Sequence, residues 1–261
     1  MLVRKQEEMR YHIILSIAFV LLAFTFAGCV KVIAGEEELT DKAYLHNQRI
    51  GASAKDLLRA DRYTALRVEI QYMEGFEPDK ASLYNLQIFL QQYLDKPDGI
   101  YLEVKQIDPA ADKILNRENV LGLERSSRSV YTNGKELGLY ILYTNGRYIN
   151  EKIAGLAYRN TSAVLFGQMI KDHSGRIGQP DRTKLETTVL LHEVGHLLGL
   201  INKGSDMLSD HQDEDHHGHC SNKECLMYYR IGTDDRFAYL VKGKIPELDV
   251  HCQADLQAIR N

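Results

Sequence analysis

In the run "LLHEVGHLLGLINKGSDM", Leu190 to Met207, His192, Glu193 and His196 have types and a spacing that could hold a metal ion and work on a water molecule. On a helix, side chains four residues apart project from one face, so the two imidazoles can address a single ion. Glu193 can polarise a coordinated water and accept its proton. Zinc suits such nitrogen donors and lowers the pKa of bound water towards about 7. Gly199, three residues after His196, fits a left-handed helix end that turns the chain back towards the metal. Two imidazoles leave a zinc site incomplete, so another donor must come from elsewhere. The following segment offers His211, His216, His217 and His219, set among Asp206, Asp210, Asp213, Glu214 and Asp215. That run reads as a solvated acidic loop in which most histidines have no role.

The elements that must position this motif can be read from periodicity. Asp181 or Thr183 can cap a helix from about Lys184 to Leu200, whose Val189, Leu190, Val194, Leu197 and Leu198 would pack into a core. Upstream, "LRVEIQYM" (Leu66 to Met73) alternates as a strand does, and Leu83, Leu86, Leu90 and Leu94 share one face of a helix within Asp79 to Leu94. "IYLEVKQI" from Ile100 and "LGLYILYT" from Leu137 read as strands, the second apolar enough to be central. Ala154 to Ile170 is interrupted at Arg159–Ser162 and predicts two short strands joined by a turn. Ala157 to Phe166 is a candidate sheet edge for an extended ligand. A short helix closes the chain at Gln253 to Ile259. Strands mixed with helices before the motif, and little regular structure after it, predict an α/β or α+β domain split by a cleft.

The chain has 261 residues, 44% hydrophobic and 26% charged, with a formal charge of -4. That suits one domain of about 200 residues plus an appendage. No basic stripe is present, which argues against a nucleic-acid partner. Arg4, Lys5 and Arg10 precede an apolar run from Ile13 to Ala27, then Gly28 and Cys29, the pattern of an export signal. "FAGC" resembles a bacterial lipobox, with Phe26 where a smaller aliphatic residue is usual. This predicts a signal peptide over residues 1–28, a membrane lipoprotein carrying lipid on Cys29, a tether over 29–48, and a catalytic domain over 49–261 in the cell envelope. A simple membrane anchor is the alternative. Cys220, Cys225 and Cys252 remain, open to either a disulfide or a metal cluster.

"HEVGHLLG" followed by "CLMYY" is similar to the metzincin clan of zinc metallopeptidases, in which HExxHxxG precedes a third histidine and a methionine-containing turn. Met227 matches that turn. Tyr229 matches the tyrosine that astacin-like and serralysin-like members keep near zinc. His219, Cys220, Cys225 and Met227 follow the archaemetzincin pattern. The resemblance covers about 40 residues, His192 to Tyr229, and departs where Asn202 occupies the usual third-histidine position. It implies a mixed twisted sheet, an active-site helix and a mostly irregular C-terminal subdomain. It also implies zinc held by His192, His196 and His219, with Glu193 as general base, Tyr229 near the zinc as a ligand, as a hydrogen-bond donor to the oxyanion or as packing alone, and a peptide or protein substrate. His219 is favoured over His217 and His216 because the resemblance puts the ligand directly before the cysteine, and His211 ranks last. Archaemetzincins carry a second zinc on four cysteines. Here Asp255 stands in the last cysteine's place, so a second zinc at Cys220, Cys225 and Cys252 would need His251 or Asp255, and a Cys220–Cys225 or Cys220–Cys252 disulfide competes with it. Two rival functions are a zinc-binding surface lipoprotein without turnover and another zinc-dependent amide or ester hydrolase.

Overall fold

The computed structural model describes residues 43–229 and 238–261. The expected signal peptide, Cys29 and most of the tether lie outside the described residues. Five strands form the main sheet: β1 (Ala65–Met73), β2 (Gly99–Ile107), β4 (Glu136–Thr144), β6 (Gly155–Arg159) and β7 (Ser162–Phe166). β3 (Ile114–Leu115) and β5 (Arg147–Tyr148) form a separate parallel pair. The order in the main sheet is β2-β1-β4-β7-β6, so β4 is central, as its apolar sequence predicts. β1, β2, β4 and β7 run parallel and β6 runs antiparallel to β7. Parallel strands need crossovers that cover the sheet faces, and β1, β4 and β7 are accordingly buried along nearly their whole length.

The helices are α1 (Ala54–Leu58), α2 (Lys80–Tyr93), α3 (Arg117–Ser127), α4 (Gly167–Asp172), α5 (Arg182–Leu197), α6 (Ala238–Lys242) and α7 (Val250–Arg260). Asp79 caps α2 by accepting from Ala81 N and Ser82 N, and Asp181 caps α5 by accepting from Lys184 N. α5 packs against α2, β6 and β7, and its residues from Leu185 to Leu197 are all buried. A helix buried this completely sits under the sheet with its motif fixed in the core, as its small hydrophobic contrast around the axis requires. Among the described residues, no helix is long and apolar enough to cross a membrane.

The β6–β7 hairpin is anchored by a buried ionic network. Glu124 on α3 accepts from Arg128 at 2.8 Å, Arg159 at 2.9 Å and Ser162 at 2.6 Å. Buried charges persist only when paired and hydrogen-bonded, and both carboxylate oxygens of Glu124 are used. The compact unit begins at Ala43, where Asn160 donates to Leu45 O at 2.8 Å and His46 Nδ1 lies 2.7 Å from Thr161 Oγ1. One expectation needs correction here: within Ala157 to Phe166 only the part in β6 lies at a sheet edge, opposite the β2 edge, while Ser162–Phe166 is an interior strand between β4 and β6.

Candidate metal centre and its cleft

His192 and His196 project from one face of α5, and His219 arrives from the irregular segment that follows. One ligand nitrogen from each of the three lies within 4.8 Å of the others. Orientation of the rings is set from behind. His192 Nδ1 donates to Leu226 O at 2.8 Å and His219 Nδ1 donates to His216 O at 3.2 Å, which leaves Nε2 of each as the free donor atom. Burial, followed by the charge of His219, lowers the His192 pKa to about 3. Burial first, then the neighbouring imidazoles and Lys203, holds His196 well below its usual range. All three rings are therefore neutral at ordinary pH, the form in which imidazole binds a metal.

The helix ends as a motif requires. Gly199 has φ +83°, Gly199 N donates to His196 O and Leu200 N to Gly195 O, a capped terminus with the left-handed residue just beyond the helix. Ile201 and Asn202 then also adopt positive φ, 55° and 58°. This double left-handed turn leaves Asn202 exposed, so the third imidazole comes from His219 after the long loop. Met227 passes beneath the helix, completely buried. A Cβ on Gly195 would fall 2.4 Å from Met227 Sδ, so the glycine inside HEVGH is what admits the methionine turn.

Glu193 is buried at the edge of β6. Its Oε2 accepts from Ala157 N at 2.6 Å, and a Cβ on Gly155 would lie 2.8 Å from its Cγ. Burial pushes the carboxyl up to about 8, against the opposing pull of the Ala157 hydrogen bond. The three imidazoles, Glu193, β6 residues Gly155–Ala157, Lys203, His216 and Tyr229 line one open cleft of about 580 Å³. Tyr229 stands on its wall, its ring stacked on His216 with centroids 3.4 Å apart and planes 4° apart. His216 is thus a support for Tyr229 and also bonds Asp213 at 3.1 Å. His217 is exposed and bonded to Gln212.

A second cluster lies away from this cleft, and it is where sequence reasoning missed a donor. His211, placed last among the candidate histidines, is buried between the cysteines. Its Nδ1 is 3.5 Å from Cys220 Sγ and 4.0 Å from Cys252 Sγ, and Cys225 Sγ is 3.6 Å from Cys252 Sγ. A ligand atom from each of His211, Cys220, Asp249 and Cys252 lies within 4.8 Å of the others, a nitrogen, sulfur and carboxylate donor set that suits zinc. All three thiols are free, so neither expected disulfide is formed. Hydrogen bonds from Cys220 and Cys252 pull Cys225 down to about 4, while the same contacts push Cys252 up. Packed thiols resist losing several protons at once, a conflict that a cation removes. Asp255, expected as a direct donor, instead accepts from His211 Nε2 at 2.8 Å and from Leu208 N at 2.8 Å, holding the ring from behind. His251 is exposed and pairs with Ser209. The only signal in the sequence for His211 is its place in the loop leading to Cys220, which is too general to single it out.

Taken together, the mixed sheet, the buried motif helix and the methionine turn beneath it define a metzincin-like zincin fold. The solved structure of archaemetzincin from Methanopyrus kandleri superposes with a TM-score of 0.50 at 16% identity, over 75% of this chain and 96% of that one. Metalloproteinase-II from Bacteroides fragilis gives a TM-score of 0.42 at 14% identity, over 80% of this chain and 61% of that one. No family model matches the chain, and no curated protein matches it by sequence.

Proposed function

We propose that this chain is a zinc-dependent peptidase that cleaves peptide bonds in extended substrates and is tethered to the cell envelope by its N-terminus. The observation that carries the peptidase reading is the convergence of three neutral imidazoles, a buried carboxylate and an edge strand on one cleft. His192, His196 and His219 would hold the ion. Bound there, zinc supplies Lewis acidity, polarising a carbonyl and lowering the pKa of water towards about 7.

The remaining work belongs to the chain's own side chains. Glu193 takes the proton of the attacking water and returns it to the departing amine. The Ala157 N–H fixes the direction of that carboxylate. Tyr229, braced by His216, donates a hydrogen bond to the developing oxyanion. β6, with no strand on its outer side among the described residues, aligns the substrate backbone by strand addition. The cluster of His211, Cys220, Asp249 and Cys252, whose ligand atoms all lie within 4.8 Å of one another, with Cys225 Sγ 3.6 Å from Cys252 Sγ, would take a second zinc that is structural, because four protein donors leave no open position.

The test measures zinc content by elemental analysis in the full chain and follows cleavage of a mixed peptide library by wild type and Glu193→Ala. A variant that keeps its zinc and loses cleavage supports the peptidase. A zinc-loaded wild type that cleaves nothing supports the non-catalytic zinc binder in its place. The tether is supported by Arg4, Lys5, Arg10, the apolar run to Ala27 and the Gly28–Cys29 pair. Fatty-acid labelling that survives Cys29→Ser would overturn the lipid assignment.

A further inference from the structure

Lys203 presents an ammonium group beside the imidazole triad that the proposed mechanism does not use. It lines the same cleft as His192, Glu193, His196 and His219, and it is half-buried. No hydrogen-bond or ion-pair partner meets its Nζ among the described residues. A cation lining a cleft without a counter-charge is free to pair with a bound anion.

The position is built. Lys203 N donates to Gly199 O at 3.1 Å. A Cβ on Gly51 would fall 2.1 Å from Lys203 O, so only a glycine there lets the two backbones meet. The side chain then runs across Gly218, next in sequence to His219. A Cβ on Gly218, whose φ is +84°, would fall 2.4 Å from Lys203 Cε and 2.6 Å from Nζ. The backbone is thus held, and the absence of a side chain at Gly218 lets the lysine pass over it with its charged end beside His219. Glu193 is the one carboxylate among the described residues lining the cleft, and it is engaged by the Ala157 N–H on the opposite, β6 side.

We propose that Lys203 is a specificity-determining side chain that binds a carboxylate of the substrate next to the scissile bond. This rests on the peptidase reading above. The carboxylate can belong to an Asp or Glu side chain or to the C-terminus of a short peptide, and both offer the same charge and the same two oxygens to the ammonium.

The experiment uses the full zinc-loaded chain and matched peptide sets. One set places Asp, Glu, Asn, Gln or Lys beside the cleavable bond, and the other ends close to that bond in a free acid or an amide. Wild type, Lys203→Met, Lys203→Arg and Lys203→Glu are compared. The expected result is that wild type favours the acidic member of one set by about tenfold in kcat/KM, the size of effect expected for a partly desolvated charge pair. Lys203→Met abolishes that preference while neutral peptides stay within about twofold, Lys203→Arg keeps it, and Lys203→Glu turns it towards Lys. The set that responds identifies the source of the carboxylate. Equal cleavage of acidic and neutral members in both sets by wild type, or an equal loss on every peptide in Lys203→Met, overturns the assignment. Binding of the same peptides to Glu193→Gln, followed by fluorescence anisotropy, tests the pair without turnover. Absence of cleavage by wild type therefore sinks only the peptidase reading, whereas equal binding of acidic and neutral members in both sets sinks the role of Lys203.

Discussion

Replacing Gly155 with alanine should damage the chemistry far more than a single methyl on a strand normally would. The new Cβ would lie 2.7 Å from Val189 Cγ1, 2.8 Å from Glu193 Cγ and 2.9 Å from Glu193 Oε1. Ordinary van der Waals contact begins near 3.4 Å, so Glu193 Cγ must retreat by about 0.6 Å. That retreat pulls Oε2 off the Ala157 N–H, a bond of 2.6 Å with no slack to absorb it. A 1 Å misplacement of a reacting group costs on the order of a hundredfold, so the expected loss in kcat is about ten- to a hundredfold with KM little changed. Overpacking costs about 1–3 kcal/mol, and the lower chain entropy of alanine returns about 0.4–1 kcal/mol. The net loss is therefore about 0–2.6 kcal/mol, or a Tm drop of at most about 10 °C at about 2–4 °C per kcal/mol. The assay is peptide turnover under saturating substrate, with zinc content and thermal unfolding measured on the same preparations. A Gly155→Ala protein with wild-type kcat and zinc content would refute the claim that the missing side chain makes room for the general base.

Glu124→Ala should lower unfolding free energy by about 3–5 kcal/mol in denaturant titration, because it strands the fully buried Arg128 guanidinium and frees Arg159 at the end of β6; a loss under about 1 kcal/mol would show that the network is dispensable. Asp255→Asn turns an amide donor towards His211 Nε2–H and should weaken zinc at the cysteine cluster by about 10–100-fold in chelator competition, while His211→Ala should take the chain from about two zinc ions to about one. Thr132 N donates to His46 Nε2, so only the neutral ring fits, and burial, then the charges of Arg128 and Arg159, lowers its pKa to about 3. The unfolded ring gains its proton near pH 6.5 and the folded one only near 3, so the contribution of His46 is full above about pH 6.5 and declines as pH falls towards 3. Stability measured from pH 7 to 4 should fall less steeply in His46→Gln, and parallel curves would count against this role.

Alternation or helical spacing made β1, β2, α2 and α7 legible, and continuous apolar runs made β4, β7 and α5 so, because these are buried on all sides. The short α1 and the polar α3 carry little such pattern. α3 is stabilised by an Asn116–Asn119 capping box and by contacts of Glu124 made only after folding. His192 and His196 were legible because four-residue spacing on a helix is a geometric statement by itself. His219 needed the help of a family pattern, since nothing local separates it from His216 or His217. His211 and Lys203 were not legible. Their surroundings are assembled from Gly51, Asp255 and Cys252, which lie far away in sequence, and loops carry no period that would bring these together.

One peptide bond separates His219 from Cys220, so a single backbone link joins the imidazole triad to the sulfur knot. In the proposed peptidase, stripping a metal from the knot would loosen the ring's footing at a distance and slow hydrolysis without touching any atom that meets substrate.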